Sequence, residues 1–357
     1  MGFKVVLKLS LEIKDITMAQ CNNARRRFLQ ASIAAGTAAL LPSGYFLMAE
    51  TPSSSDKAFP KTTFSLDGRK IRIYTKSVSE PVRIMHISDT HLYIDDERGA
   101  NYREYSERMS KAYNSTRNYK NGAETNPVEM VKQIVQEADE QDLDAIAMTG
   151  DIVSFPSAAG VDYVLESFGK LSIPRYYISG NHDWHFEGMR GTERDLRDEW
   201  IEKRLKPLYP TGVNPLCYSV KVKGVKLLFV DDSIYEILPE QLAFIQKELS
   251  TMEPTAVFMH IPLYAPGRPV SFGVGHPNWN ASTDGNYKIE RRPQWPEKGH
   301  NETTFAFRDA ILGSPNLLGV FQGHIHRQSL DICEGKPLHV TPTASDGSTT
   351  SIEILPL

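Results

Sequence analysis

Five times along this chain an apolar run stops at a residue able to hold a metal ion. Residues 82–88 lead to Asp89-Thr90-His91, 144–149 to Gly150-Asp151, and 175–179 to Gly180-Asn181-His182-Asp183. Residues 255–259 lead to His260, and 317–322 to Gly323-His324-Ile325-His326. Short runs rich in β-branched and aromatic residues read as buried strands. Each polar residue then sits on a loop at the carboxyl end of a strand, the rim where open α/β sheets bind ligands. Glycine stands at three of these ends, where it lets the backbone turn sharply.

The stretches between the runs set the fold class. Pro127 opens a predicted helix to about Gln141, with Val128, Val131, Ile134, Val135 and Ala138 on one face. Further helices are predicted over 158–170, 192–206 (Thr192 as N-cap), 239–249 and 303–312. Asp67-Gly68 and Lys223-Gly224 each lie between two strand-like runs and signal hairpins. Three short strands, 329–333, 337–341 and 350–355, close the chain. This order predicts an α/β fold: a four-layer α/β/β/α sandwich of two mixed β-sheets flanked by helices. Such an arrangement hides near-continuous apolar strands and brings five strand ends to one edge.

The N-terminal part reads differently. Arg25-Arg26 is followed by Phe28, Leu29 and an alanine-rich apolar run to Ala49, which resembles a bacterial twin-arginine export signal. Residues 1–50 are therefore expected to be a leader, with Met18 as the natural start. The cut site is poorly defined, so the expected location is periplasmic or exported, with retention as a membrane anchor the alternative. Residues 51–61 form a polar linker, and 62–357 the main domain, with insertions at 92–126 and 264–302. A net charge of −4 gives no basic field to recruit nucleic acid. Three cysteines are too few for a disulfide scaffold, and Cys217 and Cys333 are expected to be buried free thiols.

Carboxylate and imidazole donors suit borderline or hard divalent metals, and no cysteine accompanies them as a structural zinc site would require. Asp89, His91, Asp151, Asn181, His260, His324 and His326 are too many for one ion but suffice for two sharing a carboxylate. Two ions about 3.5–4 Å apart can activate a water and clamp a phosphoryl group. The ordered set Asp-x-His, Gly-Asp, Gly-Asn-His-Asp, His and Gly-His-x-His resembles the calcineurin-like metallophosphoesterase superfamily over roughly residues 82–328.

That resemblance implies a metallo-dependent phosphatase-like fold and hydrolysis of a phosphomonoester or phosphodiester by a hydroxide activated on two metal ions. It implies Asp89, His91, Asp151 and His326 around one ion and Asp151, Asn181, His260 and His324 around the other. His182 would face the substrate, oriented by Asp183. The ions would be manganese, zinc or iron. Ser154 stands where the purple acid phosphatase branch has its metal-binding tyrosine, which disfavours an iron–tyrosinate pair. The implied partners are a small phosphorylated substrate and the twin-arginine export machinery. The alternatives are a non-catalytic metal- or phosphate-binding module on the same scaffold, or a nuclease.

Each ligand taken singly has a plainer reading. Asp89 and Asp151 suit helix N-caps, and an isolated His260 suits a hydrogen-bonded core histidine. His86 reads as core, His276, His300 and His339 as surface or packing residues, and His185, close to the central loop, as a packing residue with substrate contact the alternative. The insertions carry basic and aromatic residues: Tyr102, Arg103, Tyr105, Arg108, Lys111, Tyr113, Arg117 and Lys120 in the first. The second carries Trp279, Lys288, Arg291, Arg292 and Trp295. These either grip a phosphorylated head group or form a solvated helix face and a packed loop.

Overall fold

The computed structural model describes residues 62–110, 112, 114–285 and 296–357, all within one compact unit, Lys57–Leu357. The expected leader and linker lie outside the described residues, as do Lys111, Tyr113, Lys288, Arg291, Arg292 and Trp295.

Two six-stranded sheets form the centre. The first contains β1 (Thr63–Asp67), β2 (Lys70–Thr75), β3 (Val82–Ile87), β6 (Ala145–Thr149), β7 (Arg175–Ile178) and β14 (Thr350–Pro356), in the order β1-β2-β14-β3-β6-β7. The second contains β8 (Cys217–Val222), β9 (Val225–Val230), β10 (Thr255–Phe258), β11 (Leu317–Gln322), β12 (Ser329–Cys333) and β13 (Lys336–Val340), in the order β12-β13-β11-β10-β9-β8. A two-stranded ribbon, β4 (Thr116–Arg117) with β5 (Glu124–Thr125), lies in the first insertion. Both large sheets are mixed, as expected. The neighbours β3, β6 and β7 run parallel, and so do β9, β10 and β11. Parallel neighbours end together, so their carboxyl-end loops share a rim.

Side-chain alternation builds the layers. On β9 and β10, Leu227, Phe229, Ala256 and Phe258 join a core with Ile71, Ile84 and Ile352 of the first sheet. Their neighbours Leu228, Val230 and Val257 face the other way. There they pack with Ile245 and Leu249 of one helix (Pro239–Leu249) and Phe307 and Ile311 of another (Glu302–Gly313). On the first sheet the covering helices are Pro127–Asp139, through Val131, Ile134 and Ala138, and Ala158–Phe168, through Val161 and Val164. Phe258 stacks between Phe229 and Phe321 at 5.0 and 5.2 Å, so truncating it to alanine costs about 3–5 kcal/mol.

Local signals worked where the physics is local. Lys223 and Gly224 both have positive φ, +44° and +80°, as a two-residue hairpin turn requires. Thr192 caps its helix by accepting from the Asp195 N–H. The helix predicted over 192–206 runs without a break but changes type along its length. It is α-helical over Glu193–Trp200, widens to a π turn over Ile201–Leu205 and closes as a 3₁₀ turn at Lys206–Leu208. Pro207 explains the ending, because proline lacks the donor an α-helix needs at that position. Cys217 and Cys333 are buried and free.

Candidate metal centre

Backbone pairing beyond the strands sets the site. Asp89 N donates to Gly150 O at 3.0 Å and His91 N to Asp151 O at 2.9 Å, so the loops after β3 and β6 run side by side. Gly323 N donates to His260 O at 2.9 Å, joining the loops after β11 and β10 in the same way. His324 N donates to Asp89 Oδ2 at 2.9 Å and so links the two sheets. Close approach explains the glycines: a Cβ on Gly180 would stand 2.3 Å from Asp151 Oδ1, and one on Gly323 2.6 Å from Asp89 Oδ2. Asp89, His91, Asp151, His324 and His326 all have φ between +48° and +71°. Non-glycine residues there cost about 1–3 kcal/mol each and persist where the surroundings over-determine them. His324 and His326 therefore converge from a loop rather than from one face of a strand.

The nine residues singled out in the sequence lie around one rim. Nε2 of His91 and Nε2 of His326 face each other at 2.9 Å, with Asp89 Oδ1 3.3 Å from His326. Oδ2 of Asp151 lies 3.8 Å from His91 Nε2 and 3.2 Å from His260 Nε2. Asn181 Oδ1 is 3.2 Å from that same His260 nitrogen. Among the described residues, three groups have donor atoms within 4.8 Å of one another: Asp89-His91-His326, His91-Asp151-His182 and Asp151-His260-His324. Asp89 Oδ1 is buried with no aligned hydrogen-bond donor. Acceptors aimed at one point need a cation between them, and this donor set fits borderline divalent metals.

The electrostatics agree. Burial alone would raise the carboxyl pKa values, but imidazoles outweigh it: His326 holds Asp89, and His260 with His182 hold Asp151, far below the usual range. Burial, followed by the neighbouring imidazoles, drives His91 and His324 well down, leaving neutral rings. His260 goes the other way. Burial opposes its charge, yet Asp151, then Asp89 and Asp232, lift its pKa to about 10. His326 is also raised, against its burial, by Asp89. Without metal, a proton on His260 offsets part of the negative charge of the acidic cluster.

His182 sits differently. Its N–H donates to Asp151 Oδ1 at 2.7 Å, and its ring meets that of His91 edge-on at 4.9 Å, half-buried. Asp183, expected to orient that imidazole, is engaged by the backbone. Its oxygens accept from the N–H groups of Val153 at 2.9 Å and Gly180 at 2.8 Å. Backbone donors left at the loop's tight turn claim the carboxylate, so Asp183 ties the loop to its neighbour. Burial, then the Asp151 charge, raises its pKa to about 7.

Three further residues support the ligands and were not singled out from the sequence. The Thr149 carbonyl accepts from His260 Nδ1 at 2.7 Å, which turns Nε2 toward the site. Asp232 Oδ1 accepts from the N–H groups of His260 and Ile261 at 3.1 and 3.0 Å. Tyr235 places its hydroxyl 2.5 Å from His324 Nε2. Asp231-Asp232 carried a legible signal, since it too ends an apolar strand.

Among the described residues of the two insertions, several of the basic and aromatic side chains meet partners within the protein. In the first, Arg103 pairs with Glu97, Arg117 with Glu124 and Lys120 with Glu137, and Arg108 donates to the Glu187 carbonyl. Tyr102 stacks on Phe186 at 5.3 Å and meets Trp200 edge-on at 4.9 Å. In the second, Trp279 is buried and stacks between Tyr235 at 5.3 Å and His300 at 4.5 Å. These described side chains are engaged by protein partners. His86 and His339 are buried core residues, and His185 is buried beside the loop.

The family model for calcineurin-like phosphoesterases matches residues 82–328. The chain belongs to that family. The donor clusters and the family together indicate a dinuclear metal centre. A glycerophosphodiester phosphodiesterase, GpdQ, from Enterobacter lignolyticus (strain SCF1) is 27% identical over 197 residues, 52% of this chain and 57% of that protein. The match thus spans little over half the relative's length. Among solved structures, a dimetal phosphatase from Danio rerio matches at 11% identity and TM-score 0.48, over 76% of this chain and 92% of the other. A purple acid phosphatase, PPD1, from yellow lupin (Lupinus luteus) seeds matches at 13% identity and TM-score 0.46, over 80% and 56%. Among the described residues, no helix is long and apolar enough to cross a membrane.

Proposed function

We propose that this protein is a metal-dependent phosphoesterase acting on a small phosphorylated substrate, with phosphodiesters the first class to test. One observation carries the reading: a single carboxylate oxygen, Asp151 Oδ2, stands between His91 Nε2 at 3.8 Å and His260 Nε2 at 3.2 Å. On this reading Asp89, His91, Asp151 and His326 hold one divalent ion, and Asp151, Asn181, His260 and His324 hold the other. Bound there, the pair supplies Lewis acidity and lowers the pKa of a coordinated water toward about 7. Manganese, zinc or a mixed pair suits these oxygen and nitrogen donors.

The protein's own groups do the rest. Asp151 Oδ1 holds the His182 backbone, which fixes where that imidazole starts. His182 then stabilises charge on the phosphoryl oxygens and gives its proton to the leaving alkoxide. Asp183 keeps the loop closed through Gly180 and Val153. The diester preference draws support from the relative named a glycerophosphodiester phosphodiesterase. The residues 1–50 serve, on the same reading, as a twin-arginine export signal delivering a folded enzyme to the periplasm. Arg25-Arg26 and the apolar run behind it support that assignment.

The test is hydrolysis of chromogenic phosphate mono- and diesters with added manganese. Activity should vanish with chelator and return with metal. His182→Ala should lower kcat by about 10²–10⁴-fold, the usual worth of a proton-transfer group, while both ions stay bound. An inactive wild type carrying two ions would leave a binding module in place of the enzyme. Fractionation of cells making the full chain, with and without Arg25→Lys and Arg26→Lys, tests the export reading.

A further inference from the structure

Each imidazole of the second ion site has a ring nitrogen turned away from the site, and the two are held by different kinds of partner. For His260 the partner is the Thr149 carbonyl at the end of β6, a rigid strand. For His324 it is a side chain, Tyr235, whose hydroxyl lies 2.5 Å from Nε2 and 3.4 Å from the Ser271 carbonyl. A phenol has one proton and accepting lone pairs. Accepting from His324 Nε2–H and donating to Ser271 O uses both capacities, and leaves His324 Nδ1 as the nitrogen for the metal.

The tyrosine is itself tightly specified. Tyr235 is 2% exposed and has a φ of +58°, a conformation costly for a bulky residue. Its ring lies within 6° of parallel to Trp279, which in turn stacks on His300. Phe272, next to Ser271, meets the His324 ring edge-on at 5.9 Å. Ser271, Phe272, Trp279 and His300 all belong to the insertion 264–302.

We propose that Tyr235 is a positioning residue for the second metal ion, fixing the tautomer and ring angle of His324, and that the insertion 264–302 is coupled through it to metal retention. The proposal rests on the two-metal reading above. Partners that hold the far nitrogen of a ligating histidine typically contribute about 10–100-fold in metal affinity.

The experiment is manganese titration of the full chain, following free Mn²⁺ by electron paramagnetic resonance. Wild type should bind two ions. Tyr235→Phe keeps the ring and its stack, so it should bind one ion normally and the other about 10–100-fold more weakly. Trp279→Phe leaves the hydroxyl and loosens only its backing, and should weaken the same ion by less. Two ions at wild-type affinity in Tyr235→Phe would overturn the proposal, as would equal weakening of both sites. A visible tyrosinate charge-transfer band in ferric-loaded wild type, absent from Tyr235→Phe, would make the residue a direct ligand and also overturn it. A wild type binding fewer than two ions would bring down the two-metal reading itself, a separate and distinguishable failure.

Discussion

The two insertions look alike in composition and behave differently in the fold. Both follow a ligand-bearing loop, and both are rich in basic and aromatic residues. The first turns inward on its own scaffold: its cations meet Glu97, Glu124 and Glu137, and Tyr102 settles against Phe186 and Trp200. The second stacks His300 and Trp279 behind Tyr235, whose ring meets that of His324 edge-on. Composition therefore says that such a segment has adhesive side chains, and nothing about what they adhere to. The useful distinction is whether a segment's buried polar atoms end on its own backbone or on a ligand.

That contrast can be broken in four ways, taken here from the largest effect down. Trp279→Ala empties a fully buried site and should cost about 3–5 kcal/mol in denaturant unfolding, with weakened binding of one metal ion. An unchanged midpoint would mean the stack supports nothing. Tyr102→Ala should cost about 2 kcal/mol, from half-buried aromatic contact, with metal affinity untouched. Altered metal binding in that variant would erase the difference between the insertions.

Third comes pH, which probes the site both segments border. His260, raised to about 10, carries a proton near neutrality that metal ligation must displace, and the rise of His326 acts in the same direction. Metal affinity should thus rise with pH, about tenfold per unit for each proton released. Calorimetry in buffers of different ionisation enthalpy counts those protons, and a count of zero would reject the assignment of these two rings as ligands. The smallest effect belongs to Arg103→Ala and Arg117→Ala, whose exposed ion pairs should leave melting temperature, kcat and KM unchanged. A several-fold rise in KM would show that the first insertion reaches the substrate after all.

Much of the site was readable beforehand because a strand advertises its own end. Alternation and apolar runs located β3, β6, β7, β10 and β11, and each run was followed, directly or after one glycine, by a candidate metal donor. The same rule applied to 225–230 leads to Asp231-Asp232, but a lone acid pair without histidine resembles an ordinary turn. Tyr235 gave no signal at all. Its role depends on a carbonyl 36 residues away and an imidazole 89 residues away, and no local pattern encodes either. Asp183 makes a related point: its oxygens accept from the N–H groups of Gly180 and Val153, and the Val153 contact, 30 residues away, is not encoded in the tetrapeptide.

By itself the sequence determined the donors, their order and their station at strand ends, because donor chemistry and strand termination are properties of a few consecutive residues. Tertiary structure alone decided that Asp151 stands between His91 and His260, that Asp89 and His324 join the two sheets, and that Tyr102 and Trp279 stack on aromatic rings of the protein. Those outcomes follow from which polar groups of distant segments meet when the sheets close, and each segment carries only half of every such pair.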